Sequence, residues 1–499
     1  MQKLEKLVIV GGGTAGWICA AALARRFENQ LDIRLVESDA IGTIGVGEAT
    51  IPQIRLLNQV LGLDENEFMK QTMATIKLGI EFCNWGEKGE KYIHTFGDTG
   101  LNLGGLNFHH YWLRMNQAGH QSDIWDYCVN AKAAYAGKFD RLDRLGQTPM
   151  LGPSHAFHFD AGLYAKFLRN YAEQRGVIRH EGMVQDIVLN GESGDIEKIL
   201  LQSGEALNGD LFIDCTGFRA LLLGQKLGVG YQDWSAMLPC DRAIAIPCAR
   251  ADGPLLPYTR STAHSAGWQW RIPLQHRTGN GHVYCSEFMS DDEALDVLLS
   301  NLDGESLAEP NKIRFTTGRR ETFWEKNCIA IGLASGFLEP LESTSIHLIQ
   351  SNIGKLIEHF PQGGISPALR AEYNRQVIEE FEYIRDFIIL HYHVTQRSGD
   401  PFWDYCREMT VPDSLRHKID LFAEAGRFYR SADDLFRPAS WLHVMMGQGL
   451  FPKTYHPMAD DIETTQLDET FDNIKTIINR EVDRMATHEA FIAANCAGT

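Results

Sequence analysis

Residues 7–23, LVIVGGGTAGWICAAAL, are apolar for four positions, break at a glycine cluster and resume as a run of small and apolar residues. That pattern predicts a buried strand, a tight loop and a small-residue helix. A second β-like run at 33–36 ends at Glu37, and residues 41–54, IGTIGVGEATIPQI, form a glycine-rich loop closing on a helix start at Thr50 and Pro52. From 55 to 175 the chain reads as helices plus an aromatic-rich insertion over about 77–175, with His94, Phe96 and FHHYW at 108–112. Aromatics at this density fill a core or line a pocket, and spacing does not separate the two. Beyond Val177 short strands alternate with turn signals at 190–191, 203–204 and 208–209. They lead to DLFIDCTGF at 210–218, a buried strand expected to return to the first sheet with Gly217 at its end.

In GWQWRIPL, 267–274, Trp268, Trp270 and Ile272 alternate on one strand face, a pattern that commonly means packing. A short apolar strand at 328–332 precedes the loop ASGFLEPLEST and a helix with Ile346, Ile349, Ile353 and Leu356 on one face. From about 360 onward the chain reads as helical, with aromatics at Tyr392, Phe402, Trp403 and Tyr405. The pattern is that of an α/β protein with two packed units, 1–360 and 361–499.

Bulk properties narrow the partners. A chain of 499 residues exceeds one simple core, and a formal charge of -18 argues against nucleic acid or an anionic membrane. No apolar run approaches a membrane span, and the first strand begins with no leader pattern before it, so a cytoplasmic protein is expected. The ten cysteines contain no C-x-x-C pair; reduced buried thiols are expected, with no metal site.

Candidate chemistry begins at Gly11, Gly13 and Gly16, which stand in G-x-G-x-x-G spacing. The first permits the turn, the second lets pyrophosphate approach the backbone and the third packs helix on strand, with the anion at a helix N-terminus. Glu37, about 20 residues on, suits a ribose hydroxyl. A dinucleotide site follows, against the plainer reading of a glycine turn. Lys77, in TIKLGI, either reaches the surface along apolar neighbours or is buried with a partner. Glu342, Ser343 and Thr344 precede a helix, where they mark an anion site or a plain N-cap.

Together these residues resemble the flavin-dependent halogenases of the tryptophan halogenase type. The carriers are Gly11 to Gly16, GVGEATIP at 45–52, W-x-W-x-I-P at Trp268, Trp270, Ile272 and Pro273, and PLEST at 340–344. The resemblance implies an FAD-binding Rossmann-like domain of the GR2-type flavin monooxygenase class, with a mainly helical C-terminal domain over the substrate site. It assigns FAD contacts to Gly11, Gly13, Thr14, Ala15, Gly16, Glu37, Gly47, Glu48, Ala49, Thr50 and Leu333. FADH2 from a separate flavin reductase, dioxygen and chloride or bromide would yield hypohalous acid, which passes through a tunnel to Lys77. Lys77 would hydrogen-bond the oxidant or carry the halogen as an N-haloamine, and Glu342 would orient it and take the ring proton. Thr344 and Ser345 would offer N–H groups to halide, although the best-known members carry glycine where Ser345 stands. His94 and Phe96 match positions that sandwich an indole. The paired tyrosines and carboxylate that grip free tryptophan are not found, and 440–460, SWLHVMMGQGLFPKTYHPMAD, resembles another subgroup; indole or a similar small aromatic is therefore the expected substrate. Homodimers occur in the family. The rivals are a flavin-dependent aromatic hydroxylase, which carries Gly-Asp where this chain has Gly332 and Leu333, and a non-catalytic flavin-fold binding protein, against which Lys77 and Glu342 together argue.

Overall fold

The computed structural model describes residues 4–41, 47–429 and 434–498. The apolar run Lys6–Val10 is the central strand of a six-stranded sheet, flanked in parallel by Asp32–Glu37 on one side and Leu211–Asp214 on the other. Cys328–Ala330 extends the sheet in parallel beyond Leu211–Asp214, and Ile178–Glu181 beyond Asp32–Glu37. The sheet reverses its winding at the central strand, so a crevice opens past the strands' carboxyl ends, where Gly11 and Glu37 lie.

The helix Thr14–Phe27 packs on this sheet through Trp17, Ile18 and four alanines. Gly16 permits the contact: a Cβ there would sit 1.8 Å from the Gly11 carbonyl oxygen. Gly11 has φ +111, and a Cβ on it would meet the Cys215 carbonyl oxygen at 2.2 Å. Both positions require glycine.

A second sheet of seven strands stands beside the first. Its order runs Asn311–Arg314, Arg242–Cys248, Thr278–Tyr284, Gly267–Pro273, Thr259–His264, Gly79–Cys83 and Lys91–Thr95. The stretch 55–175, expected to be helices with an aromatic-rich insertion, thus contributes strands as well. Thr75–Lys77 pairs with Ala156–Phe159, and Gly79–Cys83 joins Thr259–His264 in parallel. These strands are three to five residues long, and their partners lie some 80 to 180 positions away, beyond the reach of local periodicity.

After residue 360 the chain is helical, led by Pro367–His393, whose buried face includes Phe381, Ile384, Phe387 and His391. This helix joins the same hydrophobic cluster as the first strand and the seven-stranded sheet, so one core runs through both parts of the chain. Each of the ten cysteines is free, and all but the half-buried Cys83 are buried. No helix among the described residues is long and apolar enough to cross a membrane.

Candidate active site

A cavity of about 840 Å³ opens at the carboxyl edge of the six-stranded sheet. Gly11, Gly13, Thr14, Ala15 and Glu37 line it from the first strand–loop–helix unit, Gly47, Glu48 and Ala49 from the following segment, and Leu333 from the far side. The helix Thr14–Phe27 starts at the cavity with no side-chain cap, leaving its first N–H groups free for an anion, and a Cβ on Gly13 would meet nothing within 4 Å. Glu37 is held by Arg179 Nε at 2.5 Å and by Trp17 Nε1 at 3.2 Å. These features fit a dinucleotide: an open anion cradle at one helix start and a fixed carboxylate for a ribose. Burial pushes Glu48, also on the wall, up to about 7.

Gly16 and Thr50 stand off the cavity wall. Gly16 packs helix on strand, as its place in the fingerprint requires, while Thr50 donates its hydroxyl to the Phe157 carbonyl at 2.7 Å and turns its own carbonyl to Lys77. Residues 42–46, including Gly45, lie outside the described residues. Trp268, Trp270 and Ile272 do share one face, and all three line the cavity. Pro273 ends their strand, its carbonyl accepting the Thr75 hydroxyl at 2.7 Å.

Behind this wall lies a buried polar cluster. Lys77, fully buried at the end of its strand, donates from Nζ to Ser343 Oγ at 2.8 Å and to the Thr50 carbonyl at 3.0 Å, with Nζ 5.1 Å from the Phe96 ring centre. Burial pushes the Lys77 amine down to about 7, against the opposing pull of the Glu342 carboxylate. Glu342 is also fully buried; His94 Nδ1 lies 2.9 and 3.0 Å from its two oxygens, and His391 Nε2 lies 2.8 Å from Oε1. Burial alone would raise Glu342, but the two imidazoles outweigh it and hold the carboxyl at about 2. The other nitrogen of His391 faces the Phe387 carbonyl at 2.8 Å, so both of its ring nitrogens face oxygen.

The PLEST turn joins the two regions. Ser343 has φ +59, lines the cavity and bonds Lys77, so it touches both. It does not act as an N-cap: Thr344 occupies that position, and no side chain caps the helix Ser345–Glu358. Ser345 lines the cavity, whereas Thr344 is buried behind it with no partner for Oγ1 among the described residues. His94 presents its polar edge to Glu342 and its ring to Phe387 and Phe436, at centre distances of 5.6 and 6.3 Å. Phe387 and Phe436 stack at 3.8 Å, and Trp441 meets Phe387 edge-on at 5.0 Å.

His391 and Arg179 escaped the reading of the sequence. Ser343 stood as an anion site or a plain N-cap, with nothing in the sequence to show its bond to Lys77. His391 carried a usable signal: it follows Phe387 by four positions in an apolar stretch, where a polar side chain needs a buried partner.

A dinucleotide cavity, a tryptophan-lined wall and a buried lysine–glutamate cluster behind it are the arrangement that the resemblance to flavin-dependent halogenases implies. The family model for tryptophan halogenase matches residues 6–464. The tryptophan 6-halogenase SttH of Streptomyces toxytricini is 35% identical over 516 residues, covering 98% of each chain, and the tryptophan 7-halogenase RebH of Lentzea aerocolonigenes is 33% identical over 95% of each. Among solved structures, the flavin-dependent halogenase Xcc4156 from Xanthomonas campestris superposes with a TM-score of 0.96 at 46% identity, covering 100% of this chain and 99% of its own. BrvH from Brevundimonas sp. BAL3, also a flavin-dependent halogenase, does so with 0.95 at 44% identity over 99% of each. The chain belongs to the tryptophan halogenase family.

Proposed function

We propose that this halogenase places chlorine or bromine on a small electron-rich aromatic such as indole, with Lys77 and Glu342 as the catalytic pair. The observation that carries the reading is the division of the site: Ser343 lies on the cavity wall and bonds the amine of a lysine buried behind it. Bound reduced flavin, with dioxygen and halide, supplies hypohalous acid.

Every further step falls to the chain's own residues. Gly11, Gly13, Thr14 and Ala15 hold the pyrophosphate at the helix start and Glu37 the ribose, with Gly47, Glu48, Ala49 and Leu333 closing the cavity. Gly16 and Thr50 support that loop from outside the wall. Thr344 and Ser345 offer halide the uncapped N–H groups at the start of their helix. Trp268, Trp270 and Ile272 keep the aromatic substrate out of the cavity, with Pro273 ending the strand that carries them. The amine of Lys77 receives the oxidant beyond that wall. Its proton is exchangeable near neutral pH, so it can hold the oxidant as donor or bond the halogen as free amine. His94 and Phe96 frame the ring, and Glu342, kept ionised by His94 and His391, accepts the ring proton after attack. A separate flavin reductase supplies the reduced cofactor.

The test is mass spectrometry of indole incubated with the protein, FAD, a reductase with its nicotinamide, and bromide. A brominated product absent in Lys77→Ala supports the reading; bromination undiminished in Lys77→Ala overturns the assigned role.

A further inference from the structure

Two carboxyl groups three residues apart, Glu339 and Glu342, bracket Pro340 and Leu341, and two consecutive residues near the end of the helix Pro367–His393 take one each. His391 faces Glu342 and Tyr392 faces Glu339. Glu339 is fully buried, and its Oε2 accepts both the Tyr392 hydroxyl at 2.5 Å and the Trp268 indole N–H at 3.1 Å. Its Oε1 is buried without a partner among the described residues. Around it stand aromatic rings: Trp85 lies 6.3 Å from Trp268, 5.4 Å from Tyr392 and 5.2 Å from Trp403, and Tyr392 stacks on Trp403 at 5.7 Å. An apolar side chain would cost less in such a setting, so the carboxyl needs a reason to be there. Trp268 supplies one: it lines the flavin cavity on one side, and the bond to Glu339 is what orients its indole N–H.

We propose that Glu339 is a positioning residue of the halogenase: one shared oxygen sets the Trp268 ring in the cavity wall and ties that wall, through Tyr392, to the helix that holds Glu342. The proposal rests on the halogenase reading above and adds to it a residue outside both the cavity lining and the Lys77 cluster. Without the bond the Trp268 ring is held by packing alone, and its N–H has no partner to fix its setting in the wall. Oxidising equivalents made in the cavity are then lost before reaching Lys77, as dioxygen takes two electrons and two protons from the reduced flavin and leaves as hydrogen peroxide.

Charge state gives an independent signature. The titratable groups facing Glu339 are Tyr392, Cys240 and Cys406, and burial holds each of them protonated well past its ordinary range. Burial raises Glu339 itself to about 7, with the Tyr392 and Trp268 donors pulling the other way. Within this group Glu339 alone changes charge near neutral pH, directly behind the Trp268 indole.

The experiment labels the full-length, flavin-free protein with 5-fluorotryptophan, assigns the Trp268 resonance by its loss in Trp268→Phe, and follows it by fluorine NMR. Alongside, halogenated indole and hydrogen peroxide are counted during turnover. The wild-type Trp268 signal should titrate with a midpoint near 7, and in Glu339→Gln, which keeps an acceptor oxygen but no titrating proton, it should stay sharp and stop titrating. Glu339→Leu should shift or broaden that signal and lower the ratio of product to peroxide by about tenfold or more, with Glu339→Gln within about twofold of wild type. A Trp268 signal and product ratio unchanged in Glu339→Leu would overturn the proposal. If Glu339→Leu does not fold, Tyr392→Phe decides, since loss of one donor must still move the Trp268 signal. Absence of halogenated indole from the wild type would sink the proposed substrate instead, and the fluorine signal would still judge Glu339.

Discussion

At the scale of single residues, the proposed function rests on the amine of Lys77. Its removal as Lys77→Ala should abolish halogenation while flavin titration still shows binding, because the amine lies behind the cavity wall. Total loss of flavin binding would show that Lys77 shapes the wall itself. Moving the amine from 10.5 to about 7 represents on the order of 5 kcal/mol against its charged form. That figure is what remains after the Glu342 carboxylate has pulled the other way. Between those two pH values the unfolded chain binds one more proton than the folded one, so this site's contribution to stability rises with pH across the window. Lys77→Met should remove that rise from denaturation midpoints measured between pH 7 and 10. In kcat/KM the same group should produce an inflection near pH 7, rising with pH if the free amine bonds halogen and falling if the ammonium donates. A profile flat through neutral pH contradicts both versions. Glu342 follows the same sign in a more acidic window. Held at about 2, its carboxyl contributes stability above its ordinary value of 4.5, and that stability is lost as pH falls toward 2. Glu342→Gln should lower turnover by roughly 10²-fold through loss of the proton acceptor, and a near-wild-type rate would remove Glu342 from the mechanism.

At the scale of elements, the first strand–loop–helix unit was legible because its signals are local. The apolar run, the glycine spacing and Glu37 all lie within about thirty residues, and each lines the cavity or packs the helix onto the sheet as the motif requires. Gly11 carries the sharpest consequence. With φ +111 and the Cys215 carbonyl 2.2 Å from any Cβ, Gly11→Ala should cost about 1–3 kcal/mol in backbone strain before the clash is counted. A lowered thermal midpoint together with weakened FAD binding is expected; an unchanged midpoint would show that the turn relaxes freely. The strands between 75 and 159 were illegible for the converse reason. Each is short, and apart from Lys91–Thr95, which pairs with the nearby Gly79–Cys83, the partner is supplied by a distant segment, so alternation over three to five residues carried no weight against helix-like surroundings. The PLEST turn was half legible. Its carboxylate stood out, whereas the role of Ser343 depends on a left-handed turn and on Lys77, 266 positions earlier.

At the scale of the whole molecule, the proposed function requires two regions kept apart yet joined. The six-stranded sheet forms the cavity, the seven-stranded sheet supplies the tryptophan wall and His94, and the helix Pro367–His393 reaches across with Phe387 and His391. Such a site is assembled from five or six distant segments, and only the family resemblance gathered them before the fold was known. Beside His94 the rings of Phe387, Phe436 and Trp441 pack against one another, and under the proposed function they would back the site of a flat ring. No paired tyrosines and carboxylate that would grip an amino acid were found in the sequence, and leaving an ammonium and a carboxylate unpaired would weigh heavily against free tryptophan. The most direct measurement is therefore a competition: equal indole and tryptophan, the protein, FAD, a separate reductase with its nicotinamide, and bromide, read by mass spectrometry. The predicted result is the bromine isotope pattern on indole with tryptophan left largely unmodified, and no brominated product with Lys77→Ala. A gain of one oxygen on either ring, or bromination of tryptophan in preference to indole, would contradict the account.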